Sequence, residues 1–570
     1  MEKKFANTAY QSYLIWGIAS SMAVTLCTII DAALIGRYVG STGLAIASIA
    51  TPIYMLYAFL GVTIAVGANV LIGRHLGAAD IESANSQMGK LLFTGLALGL
   101  LLLIVLLAFH NKVIIFLGGK DTLFTLTKSY LMPVFITSPI YLLYHILSMS
   151  VKTDGNSKLA GIASGVLIST NLILDVVLMK YLNMGIQGAS LSLCIGELLS
   201  VLLLLSHFNR KLSILKLKLV VPKFNDLVEF VRNGFGVGSA YILQAISMLV
   251  FNKLLLNSVN GVEYVAIYGI LYTISTIPNG FYDAASNAFG PVISIFVGEQ
   301  DTNSIMSVFY KGIKFVLIVS LVFCACALLF TTPMLTLFGI ESTSLADAIP
   351  ALRLCSISYL FAGFNTLTTA FWQTIGRASL AGCMSILRNF VIVLLLGIFL
   401  ISRFNITGLA CTYIGCEVLC FIGSILVLLI SSSNKYVLEH YSPTGRVFEK
   451  YYSISTNSIG EISNDLQLLC ENWDIQPKQT FFLNFIAEEI LLNINKFGME
   501  DGEGHHYIDI KLLEDKDSYI LHIRDDVKAY DPFASNGDDI DNGVLKVIRK
   551  NSKVCEYQRK LIFNYLYLII

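Results

Sequence analysis

Charge is scarce in this chain. Asp, Glu, Lys and Arg make up 14% of its 570 residues while 55% are hydrophobic, and acids and bases balance at 39 each. Too little charge is present to cover a water-soluble surface of this size, which excludes an ordinary soluble protein. Metal-ligand spacing is also missing. The eight histidines and eleven cysteines form no ligand pattern, and His505-His506 stands alone in a loop rich in Gly and acids. Nine cysteines, Cys27 through Cys420, are scattered in the apolar part, where they serve as small packing residues. Only Cys470 and Cys555 lie beyond it, so reduced thiols and no disulfide framework are expected. The basic start, MEKKF, has no small-residue cleavage site at a workable distance and is expected to lead into an anchor.

What the chain does have is length and apolar runs. Stretches of about 20 apolar residues, enough to cross a bilayer as helices, recur from Tyr13 to Ser431, and about twelve are expected. Mean hydropathy is +0.69. From Ser431 onward charges, Asn and Gly take over and no spanning run remains, so a separate α/β domain is expected over residues 451–570. Lys and Arg collect in alternate loops, at Lys3 and Lys4, Arg74 and Lys90, Lys152 and Lys158, and Arg210 to Lys223. The positive-inside rule then puts both termini in the cytoplasm of a multi-pass protein of the plasma (inner) membrane.

A repeat organises the apolar part. Gly77 to Asp80 (GAAD) matches Gly298 to Asp301 (GEQD), and Leu159-Ala160-Gly161 matches Leu380-Ala381-Gly382, both at an offset of 221 residues. Gly188 and Glu197 match Gly408 and Glu417 at 220. An all-α membrane unit of two six-helix lobes follows, 1–210 and 229–434, joined by a cytoplasmic linker at 211–228. Parallel repeats pack about an axis along the membrane normal, with the substrate path between them.

The lobes differ in their charges. Asp31 sits inside an apolar span, at a cost of roughly 3 kcal/mol that normally marks an ion, proton or substrate site. Its partner at offset 221 is Asn252, while Asn171 and Asp175 fall on Ile392 and Leu396. Asn171 and Asp175 are four residues apart and share a helical face, making an oxygen-rich pocket suited to a proton or a hard cation such as sodium. Two desolvated, repelling acids in one lobe would let at least one exchange a proton near neutral pH. For Glu197 and Glu417, helix packing is the more economical role. Asp283 and Arg388 are further intramembrane charges open to substrate. Tyr268 and Tyr272, in an aromatic-rich segment, are candidates to receive a flat cation, although such stripes more often serve packing.

The run IIDAALIGRYVGSTGLAIASIATPIYMLYAFLGVTIAVGANVLIGRHLGAAD resembles the first two helices of the multidrug and toxic compound extrusion (MATE) family. TDGNSKLA, TNLILDVVL, MGIQGAS and NAFGPVISIFVGEQD resemble further motifs of that family, and the likeness spans Tyr10 to Ile430. It implies an antiporter, not an enzyme, exchanging small organic cations or drugs for H+ or Na+. It also implies a cation site on Asp31, Asn171 and Asp175. The hydroxyl residue that the family often places in the next helix falls near Leu193, with Ser192 adjacent, which favours protonation over sodium coordination.

The last domain has helix, strand-pair, helix and closing-strand patterns, and resembles the GHKL ATPase fold of anti-sigma-factor-type serine kinases. EEILLNINKFG is similar to its N-box and RDDVKAYDP to its Asp-Gly segment. The resemblance implies Glu489 as base, Asn493 as the amide holding Mg2+, and Asp525 as the reader of adenine in ATP. Two positions depart from it: Val527 replaces a glycine, and Asp541 replaces another beside the phosphates. The expectation is therefore a cation-coupled exporter with a regulatory nucleotide-binding-like tail. Membrane lipid and a regulatory protein partner of the tail are further expected, and no nucleic acid. A lipid-linked oligosaccharide flippase and a membrane-tethered sensor or kinase are the alternatives. Scarce intramembrane Lys and Arg argue against the flippase, and phosphotransfer by the tail would favour the sensor.

Overall fold

A computed structural model describes residues 4–117, 122–210, 213–258, 260–299, 301–337, 345–433, 445–454, 458–494, 506–515, 518–528 and 542–570. The first lobe comprises α1 (Lys4–Tyr38), α2 (Ser41–Gly77), α3 (Ile81–Ala108), the short α4 (His110–Leu117), α5 (Thr122–Ile136), α6 (Ser138–Thr153), α7 (Ser157–Val176) and α8 (Ile186–Leu205). The second holds α9 (Phe224–Leu256), α10 (Gly261–Gly298), α11 (Thr302–Leu329), the short α12 (Thr331–Leu337), α13 (Leu345–Thr374), α14 (Ala378–Ile386) and α15 (Ile392–Ser433). These helices are apolar on nearly every side, as elements surrounded by lipid and by one another must be. Among the described residues nine are long and apolar enough to cross a membrane, ten if the bent pair α5 and α6 is one span. The chain is a polytopic membrane protein.

The repeat is visible in the coordinates. α3 and α11 are each 28 residues long and start 221 residues apart. Both are capped in the same way: Ser83 N–H donates to Asp80 Oδ1 and Ser304 N–H to Asp301 Oδ1, each at 3.0 Å. An N-cap carboxylate satisfies one of the orphan N–H groups of the first turn, and here it explains why the repeated motif ends in Asp. The repeat-related Gly77 and Gly298 meet each other. A Cβ on Gly77 would lie 2.8 Å from Gly298 Cα, and one on Gly298 would lie 2.1 Å from Arg74 O. The pseudo-two-fold axis therefore passes between these two loops.

α2 and α9 seal the lobes together on the same side. A Cβ on Gly67 would lie 1.9 Å from Phe230 O, and one on Gly234 would lie 1.7 Å from Thr63 O. Only glycine admits so close an approach of two backbones. Arg74 Nη2 crosses the seam to donate to Thr374 O at 2.8 Å.

The tail begins at β1 (Val447–Ser453), four residues before position 451, because VFEKYYS carries enough charge to hide its strand character. It continues with α16 (Ser458–Asn472), α17 (Pro477–Asn493), β2 (Tyr507–Asp515), β3 (Ser518–Asp525), α18 (Asn542–Asn551), β4 (Val554–Lys560) and β5 (Phe563–Ile569). The five strands form one antiparallel sheet in the order β1-β2-β3-β5-β4. Ile508, Ile510, Leu521, Ile523 and Leu566 point to one face and share a core with Ile462, Leu466, Leu483 and Ile490 of α16 and α17. The strand period of two makes this an ordinary helix-covered sheet.

Candidate functional site

α1, α7 and α8 bring the first-lobe residues together. Asp175 is fully buried and Asn171 nearly so, one turn apart on α7. Asp31 on α1 and Asp175 are electrostatic neighbours. Ser192 of α8 donates to Asp175 Oδ1 and accepts from Asn171 Nδ2 at 3.0 Å. Cys27, one turn before Asp31, donates its S–H to Asn171 Oδ1 at 3.2 Å. Asp31 Oδ1 and Asp175 Oδ2 are buried and find no partner among the described residues. A buried carboxyl oxygen without a partner is costly, so these two mark the site as unusual. Two carboxylates, an amide oxygen and a hydroxyl oxygen form a donor set for a proton or a hard, oxygen-loving cation.

The sequence placed the family's hydroxyl position near Leu193 with Ser192 adjacent, and the structure shows Ser192 itself bonded to Asp175 and Asn171. Hydroxyl residues abound in membrane helices, so only contact with the acids distinguishes this one. A π turn, Val177–Tyr181, starts two residues after Asp175. Such turns interrupt the helical ladder and often stand at functional positions.

In the second lobe Arg388 does not stand free. Its Nε donates to both oxygens of Glu417, at 2.8 and 3.1 Å, its Nη1 to Thr366 Oγ1 at 2.8 Å and its Nη2 to Ala362 O at 3.3 Å. Asn365 Nδ2 donates to Glu417 Oε2 at 2.7 Å. This pair lines a chamber of about 130 Å³ together with Tyr268, Tyr272, Tyr359 and Tyr413. Tyr268 is buried, with its hydroxyl 2.9 Å from that of Tyr413. Such a volume holds a few waters and falls short of the roughly 300 Å³ that drug-sized ligands occupy. Asp283 on α10 lies outside that lining and is exposed, with Tyr241 and Tyr272 as electrostatic neighbours. Glu197 is buried in the first lobe near Tyr54, Tyr57, Tyr141 and Tyr144.

A family model described as MatE matches residues 18–177 and 237–399, more than half of the chain. This chain belongs to the MATE family. It is 26% identical over 392 residues to "Multidrug export protein MepA" of Staphylococcus aureus (strain NCTC 8325 / PS 47), covering 67% of this chain and 84% of that one. The MepA of Staphylococcus saprophyticus is 25% identical over 391 residues, with the same coverage. Among solved structures, an "Outward-facing conformation of a multidrug resistance MATE family transporter" superposes with a TM-score of 0.69 at 20% identity, covering 75% of this chain and 97% of that chain. A Pyrococcus furiosus transporter of the MOP superfamily superposes at 0.67, also at 20% identity, covering 76% and 97%. The family match ends at 399, so the tail lies beyond it.

In this MATE chain the tail's three candidate residues are placed as follows. Glu489 is half-buried on α17, and Asn493 turns its Nδ2 back onto Glu489 O at 2.8 Å. Asp525 faces the helices, and its Oδ1 accepts from Asn564 Nδ2 at 2.7 Å and from Val527 N–H at 3.2 Å. Asp541 lies outside the described residues. One carboxyl oxygen of Asp525 is thus held from within, and Val527 is buried at the position where the resemblance implies glycine. No step through a nucleotide follows from these placements.

Burial pushes Asp525 up to about 7 despite its bond from Asn564, and pushes Asp509 on β2 up to about 7 despite the adjacent Arg524. Both values lie above the unfolded reference near ~3.9. The stability these groups contribute is therefore full below about pH 4 and is lost as pH rises through 7. Hydrogen exchange within the tail sheet of the full chain is expected to be slower at pH 5 than at pH 8 once corrected for intrinsic rates. Asp525→Asn should flatten part of that dependence.

Proposed function

We propose that this MATE protein exports small organic cations, including drugs, in exchange for protons or sodium. The coupling site is Asp31, Asn171, Asp175 and Ser192. The observation that carries this reading is the pair of buried, unpartnered carboxyl oxygens of neighbouring Asp31 and Asp175 on α1 and α7. With Asp31 and Asp175 both charged, repulsion is relieved by a proton or cation. With the ion gone, the helices carrying them separate, and that difference biases one lobe arrangement over the other. Exposed Asp283, beside Tyr241 and Tyr272, offers charge and aromatic faces to a cation entering between the lobes.

Twelve passes follow if α10 counts as one and the 52-residue stretch Ala378–Leu429 as two. Its backbone leaves helical geometry at Asn405 (φ 49°, ψ −125°). Both termini then lie on the cytoplasmic side, where Lys and Arg collect. The tail acts there as a regulatory module that can also meet a protein partner. A flippase for an anionic lipid-linked substrate would need free cationic charge in the cavity, and Arg388 is already neutralised by Glu417.

The test is efflux of a panel of organic cations from vesicles under imposed proton or sodium gradients. Efflux driven by one gradient supports the reading, and indifference to both refutes it. Calorimetric binding of ATP·Mg2+ to the full chain would reinstate a nucleotide role for the tail.

A further inference from the structure

The two faces of the tail's sheet differ in kind. Opposite the helix-covered face, the alternate positions Glu449, Asp509, Lys511, Arg524 and Lys560 carry charge, as on a solvated strand face. Yet Asp509, Lys511, Arg524 and Lys560 are each at most 7% exposed. Buried charges persist only when paired and covered, and the cover here is the helical bundle.

The contacts reach both lobes. On the first, the Phe5 ring meets Phe563 edge-on at 4.9 Å, and Lys560 Nζ donates to Gly77 O at 3.5 Å. Leu561, at the tip of the β4–β5 hairpin, sits against Gly155, where a Cβ would lie 2.6 Å from Leu561 O. On the second, Arg524 Nη1 is 3.6 Å from Glu299 Oε2, and its guanidinium stands 5.7 Å from the Phe296 ring centre. Gly77 and Glu299 belong to the two repeat-related loops between which the pseudo-two-fold axis passes. One hydrogen-bonded sheet is thus fixed to both sides of the axis, at the end of the bundle where α2 and α9 close the seam. Parting the lobes there must stretch the sheet or detach it, and a ladder of paired strands does not stretch.

We propose that the tail is an interlobe clamp that holds this mouth shut, with the Arg524–Glu299 contact as its latch on the second lobe. The mouth opens only when the latch lets go. Arg524 keeps Asp509 as an internal partner, with Nη2 2.5 Å from Oδ2, so losing Glu299 leaves the tail's own fold provided for. The inference rests on the transport reading only for its place in a cycle.

Hydrogen exchange on the full-length protein tests it, comparing wild type with Glu299→Gln and Glu299→Lys. Residues 63–67 and 230–238 report the seam, 154–156 and 560–563 the docking contact, and 508–512 and 521–523 the tail core. Both variants are expected to speed exchange at the contact and at the seam, Glu299→Lys by roughly tenfold or more, while the tail core stays protected. Faster exchange at the contact with an unchanged seam would make the tail a passenger and overturn the clamp. An unchanged contact in Glu299→Lys would overturn the latch. A tail core that loses protection in both variants would make Glu299 part of the tail's fold, which also contradicts the proposal. These readouts need no substrate, so an absence of efflux would sink the transport reading and leave the clamp result standing.

Discussion

Asp175→Asn is expected to abolish gradient-driven efflux while the protein still reaches the membrane. Asparagine matches aspartate in shape and keeps an oxygen for the Ser192 hydroxyl, so the three-helix contact survives. What disappears is the ability to exchange a proton or to balance a cation. Couplings between sites are typically worth 1–3 kcal/mol, so the drop in coupled transport should reach roughly 10- to 100-fold. Efflux of a cationic dye from vesicles, normalised to protein amount, measures it. Dye binding at equilibrium should persist, which separates loss of coupling from loss of the substrate path. Asp31→Asn should behave in the same way. Ser192→Ala should have a smaller effect, since it removes an orienting hydroxyl and no charge.

Glu417→Ala is expected to destabilise the second lobe by about 3 kcal/mol, the scale seen when one member of a buried ion pair is removed. Arg388 would keep Thr366 and the Ala362 carbonyl as neutral partners but no counter-charge. Asn365 would lose its side-chain acceptor and keep the backbone carbonyl of residue 417. Thermal unfolding in detergent should show the loss. The double variant Arg388→Met/Glu417→Leu should recover most of it, because apolar replacement of a whole buried pair is often neutral or stabilising. Failure of the double variant to recover would assign Arg388 a role beyond its pairing with Glu417.

That Asp31, Asn171 and Asp175 belong together was legible in the sequence for a physical reason. A carboxylate in an apolar span is costly, and the 221-residue repeat showed that Asp31 and Asp175 have no acidic counterpart in the other lobe. Ser192 was hidden because a hydroxyl in a membrane helix costs little and so signals little. The Arg388–Glu417 pairing was hidden because its members are 29 residues apart on different elements, and distance along the chain does not reveal contact across a lobe. The repeat's Asp80 and Asp301 looked like motif letters until their helix caps gave them a local cause.

The tail shows the opposite failure. Alternating charge on β2 and β3 is the pattern of a strand with one wet face, and nothing local distinguishes it from a charged face that is covered. Only the bundle's arrangement places Glu299 over Arg524 and turns that face into an interface. The count of spans was blurred by the same kind of context. α10 carries Pro278 and Pro291, and Asn405 breaks the backbone within the 52-residue helical stretch Ala378–Leu429.

The proposal's central claim is that ion binding at the first-lobe carboxyl pair and binding of the exported cation oppose each other. The most direct measurement is proton release when a cationic dye binds the purified full-length protein in weakly buffered solution, repeated with sodium added. The account predicts release on binding that is suppressed either by Asp175→Asn or by saturating sodium. Tight dye binding with no proton release and no sensitivity to sodium would contradict it.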